Sequence, residues 1–187
     1  MKESKTLRRD ARDNAAKLRT AALELFLVQG LDAPLNEIAR TAGVSVGTLF
    51  NRFGSREGLI DAVIPDVAGR RLQELGTAVL TKETPRERLE AFVHGMIDLQ
   101  HDDPALNDAI LRRYPDAAAL LGVCDRSTAL GRDLVREAHA DGSLSPDFTE
   151  DDLLNLLWLA GTASRDGSAP AGWGRIVNRA LESAWID

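Results

Sequence analysis

One cysteine, Cys124, occurs in the 187 residues, so no disulfide can form within the chain. The expected setting is therefore a reducing cytoplasm. Aromatic residues make up 5% of the sequence. β-Branched residues are sparse, and apolar/polar alternation is nowhere sustained, so nothing reads as a strand. The greasiest stretch, Leu153 to Ala160, is far short of the ~18 residues that span a bilayer. No apolar segment follows the charged N-terminus before Ala21, so no secretory signal is expected. A nucleophile elbow, a phosphate-cradling glycine loop and a CxxC pair are all missing, which removes the common enzyme signatures.

Ala, Leu, Arg and Glu dominate instead, within a composition that is 44% hydrophobic and 28% charged. This predicts an all-α chain with a proper core. The net charge of -6 conceals a split: residues 1 to 60 carry +3 and residues 61 to 187 carry -9. A basic head thus precedes an acidic body. In the head, apolar spacing predicts a helix from about Asp10 to Gln29, closed by Gly30. Two short helices follow, Leu35 to Ala42 and Val46 to Phe53, the second capped by Ser45. In the body, a helix is expected from Ser55 to about Leu80, kinked by Pro65 and Gly69. Thr84, Pro85 and Glu87 make a capping signal for the next helix, to about Gln100. Helices opened by Pro104 and by Pro115, the latter reaching Ala140, come next. One more starts after Thr149, and the last runs from about Gly172 to Ile186.

The two short helices joined through Gly43 have the dimensions of a helix-turn-helix, whose second helix enters a major groove. Ile38, Ala39, Ala42, Val44, Leu49 and Phe53 are expected inward, against Leu25, Phe26 and Leu59. Val46, Gly47, Thr48, Asn51 and Arg52 are then expected outward. Such a face offers phosphates a helix dipole and base edges a few donors, with little bulk to hold the groove away. Lys2, Lys5, Arg8, Arg9 and Arg12 form a basic arm, suited to an adjacent minor groove or simply to solvent.

The runs Glu37-Ile38-Ala39, Ala42-Gly43-Val44-Ser45, Gly47-Thr48-Leu49-Phe50 and Phe53-Gly54-Ser55-Arg56-Glu57-Gly58-Leu59 carry a family likeness. From about Arg12 to Val63 the chain resembles the N-terminal domain of the TetR/AcrR family of transcriptional repressors. The resemblance implies that Thr48 and Phe50 contact DNA and that Arg56 takes the place of a phosphate-binding Lys. Phe50 stands where Tyr is common and cannot donate a hydroxyl hydrogen bond. Asn51 stands where His is frequent, and its amide could read adenine or touch phosphate. Leu35 replaces a frequent Thr. The expected DNA-binding set is Arg40, Thr41, Ser45, Val46, Gly47, Thr48, Phe50, Asn51, Arg52 and Arg56. The expected division is a DNA-binding domain over 1–54 and a helical effector-binding and dimerisation domain over 55–187.

The stretch Leu153 to Ala160 is apolar nearly all round, so it needs cover on more than one side. A two-fold homodimer through Leu153, Leu156, Leu157, Trp173, Val177, Leu181 and Trp185 is expected. It would set two recognition helices about one DNA turn apart. The resemblance also implies a ligand pocket, for which Phe92, Val93, Met96, Ile97, Tyr114, Leu120, Leu121, Cys124 and Trp158 are candidates. Their apolar character suits a hydrophobic effector.

His94, Asp98 and His101 share one helical face, but that face lies opposite the apolar one, so no metal is expected. A metal-dependent phosphohydrolase built on His101-Asp102 fails for want of further ligands, since His139 sits alone. A helical adaptor that uses the head to hold a protein remains a second reading. The first is a ligand-responsive, homodimeric repressor that holds a palindromic double-stranded operator and is released by a small effector. It needs no cofactor, no membrane and no catalysis.

Overall fold

The computed structural model describes residues 2–111, 113–165 and 169–186, with the side chains of residues 2–9 outside that description. Among the described residues there are ten helices and no strand, only one antiparallel bridge between Leu144 and Trp185. α1 (Lys2–Gln29), α2 (Leu35–Thr41) and α3 (Val46–Phe53) form the head, and α4 (Arg56–Val63) leads out of it. α5 (Pro65–Leu80), α6 (Pro85–Asp102), α7 (Pro104–Ile110), α8 (Ala118–Ala140), α9 (Glu150–Arg165) and α10 (Trp173–Glu182) form the body. α1 begins eight residues before the expected start at Asp10, so Lys2, Lys5, Arg8 and Arg9 belong to a helix rather than to an arm ahead of one. Where their side chains point lies outside the described residues.

The caps read from sequence are formed. Thr84 Oγ1 accepts the Glu87 N–H at 3.2 Å while the Glu87 carboxylate accepts the Thr84 N–H at 3.1 Å, a reciprocal capping box. Thr149 and Asp152 repeat the device before α9. Pro65 divides the expected Ser55–Leu80 helix into α4 and α5, because a residue without an N–H cannot continue the ladder. Asp61, just ahead of the break, turns its carboxylate to α8, accepting the N–H groups of Ala119 and Leu120 at 3.1 Å each. This borrowed cap explains why α8 starts at Ala118 and not directly after Pro115. α10 likewise stops at Glu182, short of Ile186. The chain beyond it pairs with the segment after α8, through Ser145 N–H to the Ala184 carbonyl and Ile186 N–H to the Ser143 carbonyl.

A single apolar core runs the length of the molecule. Leu18, Phe26, Ile38, Leu49, Leu59 and Ile60 fill the head, and Leu89, Phe92, Leu106, Leu120, Leu134 and Leu153 fill the body. Two buried amide side chains inside it bond across elements. Gln100 of α6 donates to Asn107 of α7 and to the Leu157 carbonyl of α9, and Asn107 donates to the Gly161 carbonyl. His139 Nε2 faces the carbonyls of Ser145 and Phe148 at 3.2 and 3.0 Å. Only a protonated Nε2 suits two acceptors, so it carries the hydrogen.

The caps make the acid limb of stability predictable. Hydrogen bonds from the Thr84 backbone and side chain hold Glu87 below its ordinary pKa, and those from Thr149 do the same for Asp152. Such groups stabilise the fold fully above their unfolded values and cease to do so as pH falls through the depressed folded ones. The unfolding midpoint of the native chain should fall on acidification below about pH 4.5. A Glu87→Gln/Asp152→Asn variant followed by thermal melts should show a shallower decline between about pH 5 and 3; parallel declines would contradict this account.

Candidate DNA-binding face and effector cavity

α2 and α3 cross with Ile38, Ala39 and Leu49 buried between them and α1. Ser45 ends the turn in extended backbone (φ -77°, ψ 154°) and accepts the Thr48 N–H at 3.1 Å. Its hydroxyl also lies 2.9 Å from that of Thr48, so the two form a small polar ridge at the start of α3. Arg40, Thr41, Ser45, Gly47, Asn51 and Arg52 are exposed, and Phe50 keeps 45% of its surface in solvent. Thr48 is half-buried. Val46, expected outward, instead packs partly against the core. Arg40 pairs loosely with Glu37 at 3.6 Å.

Arg56 is placed differently from its expected role. Its Nη1 donates to the carbonyls of Leu31 and Ala33 at 2.7 and 2.8 Å, bracing the turn between α1 and α2. Two carbonyls that neither helix satisfies take up the donor that was assigned to a phosphate. Gly58 lies two residues further on, where a Cβ would run into the Phe53 carbonyl oxygen. Only glycine lets the start of α4 close against the end of α3.

A cavity of about 530 Å³ lies in the body among α5, α6, α8, α9 and the end of α7. This is within the usual range for small-molecule sites. Phe92 and Met96 of α6, Cys124 of α8 and Trp158 of α9 line it, as does an apolar wall of Leu72, Ile110, Leu111, Leu154 and Leu157. A polar strip of Asp125, Ser127, Thr128, Arg132 and Asn155 runs along one side. Arg132 is held by Glu150 at 3.5 Å. The other expected lining residues lie elsewhere. Val93 and Leu120 are buried in the core, Ile97 and Leu121 are half-buried outside the cavity, and the Tyr114 hydroxyl donates to Asp32. Phe92 and Met96, four residues apart, share a face of α6 that Val93 and Ile97 do not. Burial and the bond to Asp32 push the Tyr114 phenol up to about 12.

The profile described as bacterial regulatory proteins, tetR family, matches residues 18–63, which hold the second part of α1 and all of α2, α3 and α4. Over that quarter of its length the chain matches the TetR family of bacterial transcriptional regulators. It is 36% identical over 98 residues to the HTH-type transcriptional regulator BetI of Rhizobium meliloti, an overlap of 52% of this chain and 48% of that one. The chain thus spans about half the length of the curated relatives it matches at this level. A tetR-family regulator from Rhodococcus RHA1 superposes with a TM-score of 0.68 at 22% identity, over 93% of this chain and 98% of that one. FadR from Bacillus subtilis, in complex with stearoyl-CoA, superposes with a TM-score of 0.65 at 17% identity, over 89% and 95%. At those identities the likeness is one of fold.

Within this TetR-family fold the expected dimer residues are turned inward. Leu153, Leu156, Leu157, Val177 and Leu181 are all buried within the one chain. Trp173 and Trp185 pack on the core, the latter under the Arg86 guanidinium at 5.0 Å. What the all-round apolar α9 leaves outside is Trp158 and Leu159, more than half exposed, and α10 adds Ile176 at 65%. Sequence predicted that two sides of α9 would need cover but took the inner side for the outer.

Among the described residues no three His, Cys, Asp or Glu side chains gather as metal ligands. His94 meets Asn178 of α10, while Asp98 and His101 are exposed. Among the described residues no helix is long and apolar enough to cross a membrane.

The place of Arg56 can be tested by stability. Arg56→Met should lower the unfolding free energy in urea by about 2 kcal/mol through its two lost carbonyl bonds. Arg52→Ala, at an exposed position, should stay within about 0.5 kcal/mol of native. Equal effects would contradict the bracing role.

Proposed function

We propose that this TetR-family regulator acts as a homodimeric repressor, holding a palindromic operator through α3 of each subunit and releasing it when a small, largely apolar effector fills the cavity. The observation that carries the reading is the face of α3. Gly47, Asn51 and Arg52 are exposed beside the Ser45–Thr48 hydroxyl ridge, with Arg40, Thr41 and Phe50 on its flanks. Val46 adds an apolar edge at the first turn. Glycine at the second position lets a groove approach the backbone, the amide of Asn51 can reach a base edge, and Arg40 and Arg52 meet phosphates. Arg56 supports this face from behind.

Residues 1–54 would read the DNA, and 55–187 would bind effector and pair with a second copy. For pairing we favour Trp158, Leu159 and Ile176, large apolar side chains that α9 and α10 leave in solvent. A two-fold axis through that face would carry the two heads together to successive half-sites. The cavity favours an effector with a greasy body and one polar end, matching a wall of Leu, Ile, Phe, Met and Trp beside the polar groups of α8 and Asn155 of α9. That FadR of similar fold holds stearoyl-CoA supports a body able to accept acyl-like guests. No step of this function requires catalysis.

Selection of bound duplexes from a random pool, followed by titration in several salt concentrations, tests the reading. A palindromic consensus should emerge, and Thr48→Ala should weaken its binding about tenfold or more. Arg52→Ala should flatten the plot of log K against log salt by about 2, one phosphate contact per subunit. Ile176→Asp should give monomers on sedimentation and lose the palindrome. No consensus, or binding indifferent to Thr48, would overturn the operator reading and favour the protein-adaptor one.

A further inference from the structure

Asp108 sits on α7 with none of its side chain exposed. A carboxylate so placed needs partners, and those it has come from three parts of the chain. Its Oδ2 accepts the Leu31 N–H at 2.8 Å, from the turn that joins α1 to α2. Arg165 at the end of α9 stands 3.4 Å from the same oxygen, and Arg113 stands 3.3 Å from Oδ1. Arg113 also reaches Asp32 at 3.1 Å, and the neighbouring Tyr114 hydroxyl donates to Asp32 as well. A Cβ on Gly30 would stand 2.5 Å from Asp108 Oδ2 and 2.7 Å from Arg165, so the close of α1 (φ +84°) is shaped around this carboxylate.

The same short helix borders the cavity. Ile110, two residues beyond Asp108 and about 200° round the helix, lines it together with Leu111. The Arg113 N–H returns to the Asp108 carbonyl at 3.2 Å, tying the following loop to α7. A guest that displaces Ile110 and Leu111 therefore moves the segment that holds the α1–α2 turn. Small displacements at packed contacts tend to be taken up as a switch between arrangements rather than as gradual strain.

We propose that Asp108 is a positioning residue, a latch between α7 and the α1–α2 turn through which the filling of the cavity reaches the DNA-binding helices. This rests on the reading given under Proposed function, and it adds the route by which the two sites communicate. The coupling has a physical carrier in a set of polar bonds that both sites bias.

A cavity-filling substitution, Thr128→Trp, serves as the probe in place of an effector. In the otherwise native chain it should speed hydrogen exchange of the Leu31 amide at least tenfold and weaken binding of the selected duplex about tenfold. In an Asp108→Asn background, which keeps an acceptor for the Leu31 N–H but removes the charge, Thr128→Trp should change duplex affinity less than threefold. Tyr114→Phe, which deletes only the outer bond to Asp32, should reduce the coupling in the same direction and provides a second background should Asp108→Asn fold poorly. Unchanged exchange at Leu31, or an equal loss of affinity in all backgrounds, would overturn the latch, since a merely structural Asp108 would leave the effect of Thr128→Trp additive. If no duplex is selected at all, the operator reading fails, while the exchange at Leu31 still decides whether cavity and turn are connected.

Discussion

Five residues, Gly30 to Pro34, join the long α1 to the pair of helices that present the proposed DNA-binding face, and the placement of that face depends on how this turn is held. A turn inside a protein carries backbone groups that no helix satisfies, and each needs a partner from elsewhere. Here the Leu31 N–H goes to Asp108, the Leu31 and Ala33 carbonyls go to Arg56, and the Asp32 carboxylate goes to Tyr114 and Arg113. One of these partners follows α3 directly in the chain and the others belong to the body. The orientation of α2 and α3 is thus set jointly by their own hydrophobic crossing and by side chains more than seventy residues away.

The rest of the architecture serves the same division. A continuous apolar core makes head and body mechanically one piece, while charge separates them, +3 on the first sixty residues and -9 beyond. The basic end is drawn to a polyanion and the acidic end is repelled, which orients an encounter before any base is read. The cavity lies between the element that grips the turn and the helices whose outer side is apolar and uncovered. A guest inside it would therefore touch the walls of both the proposed latch and the proposed pairing face, through Ile110 and Leu111 on one side and Trp158 on the other.

Much of the head was legible because its signals are local. Ser45, Gly43 and the spacing of Ile38, Ala39 and Leu49 each act within a few residues, and the boundaries of α2 and α3 followed to within one residue. Thr84-Pro85-Glu87 was readable for the same reason. The body was legible in its helices, apart from the one that Pro65 divides into α4 and α5, and less so in facing. Leu153, Leu156 and Leu157 are indistinguishable by composition from Trp158 and Leu159, and which side met the chain's own core depended on α6 and α8. Pro115 looked like a helix opener, but the cap that starts α8 comes from Asp61, more than fifty residues earlier. Arg56 was matched to a phosphate contact by motif position, whereas two carbonyls left open by a turn claimed it. Asp108 carried one faint signal, a single acid within the otherwise uncharged α7 stretch PALNDAI, and its partners could only be seen once the helices were packed.

The central claim, that paired α3 helices hold one duplex, is tested most directly by hydroxyl-radical footprinting of the selected duplex with the native protein. Two protected patches on the same side of the DNA, centred about one helical turn or a small multiple of it apart, are predicted. A single patch, or uniform weak protection along the duplex, would contradict it.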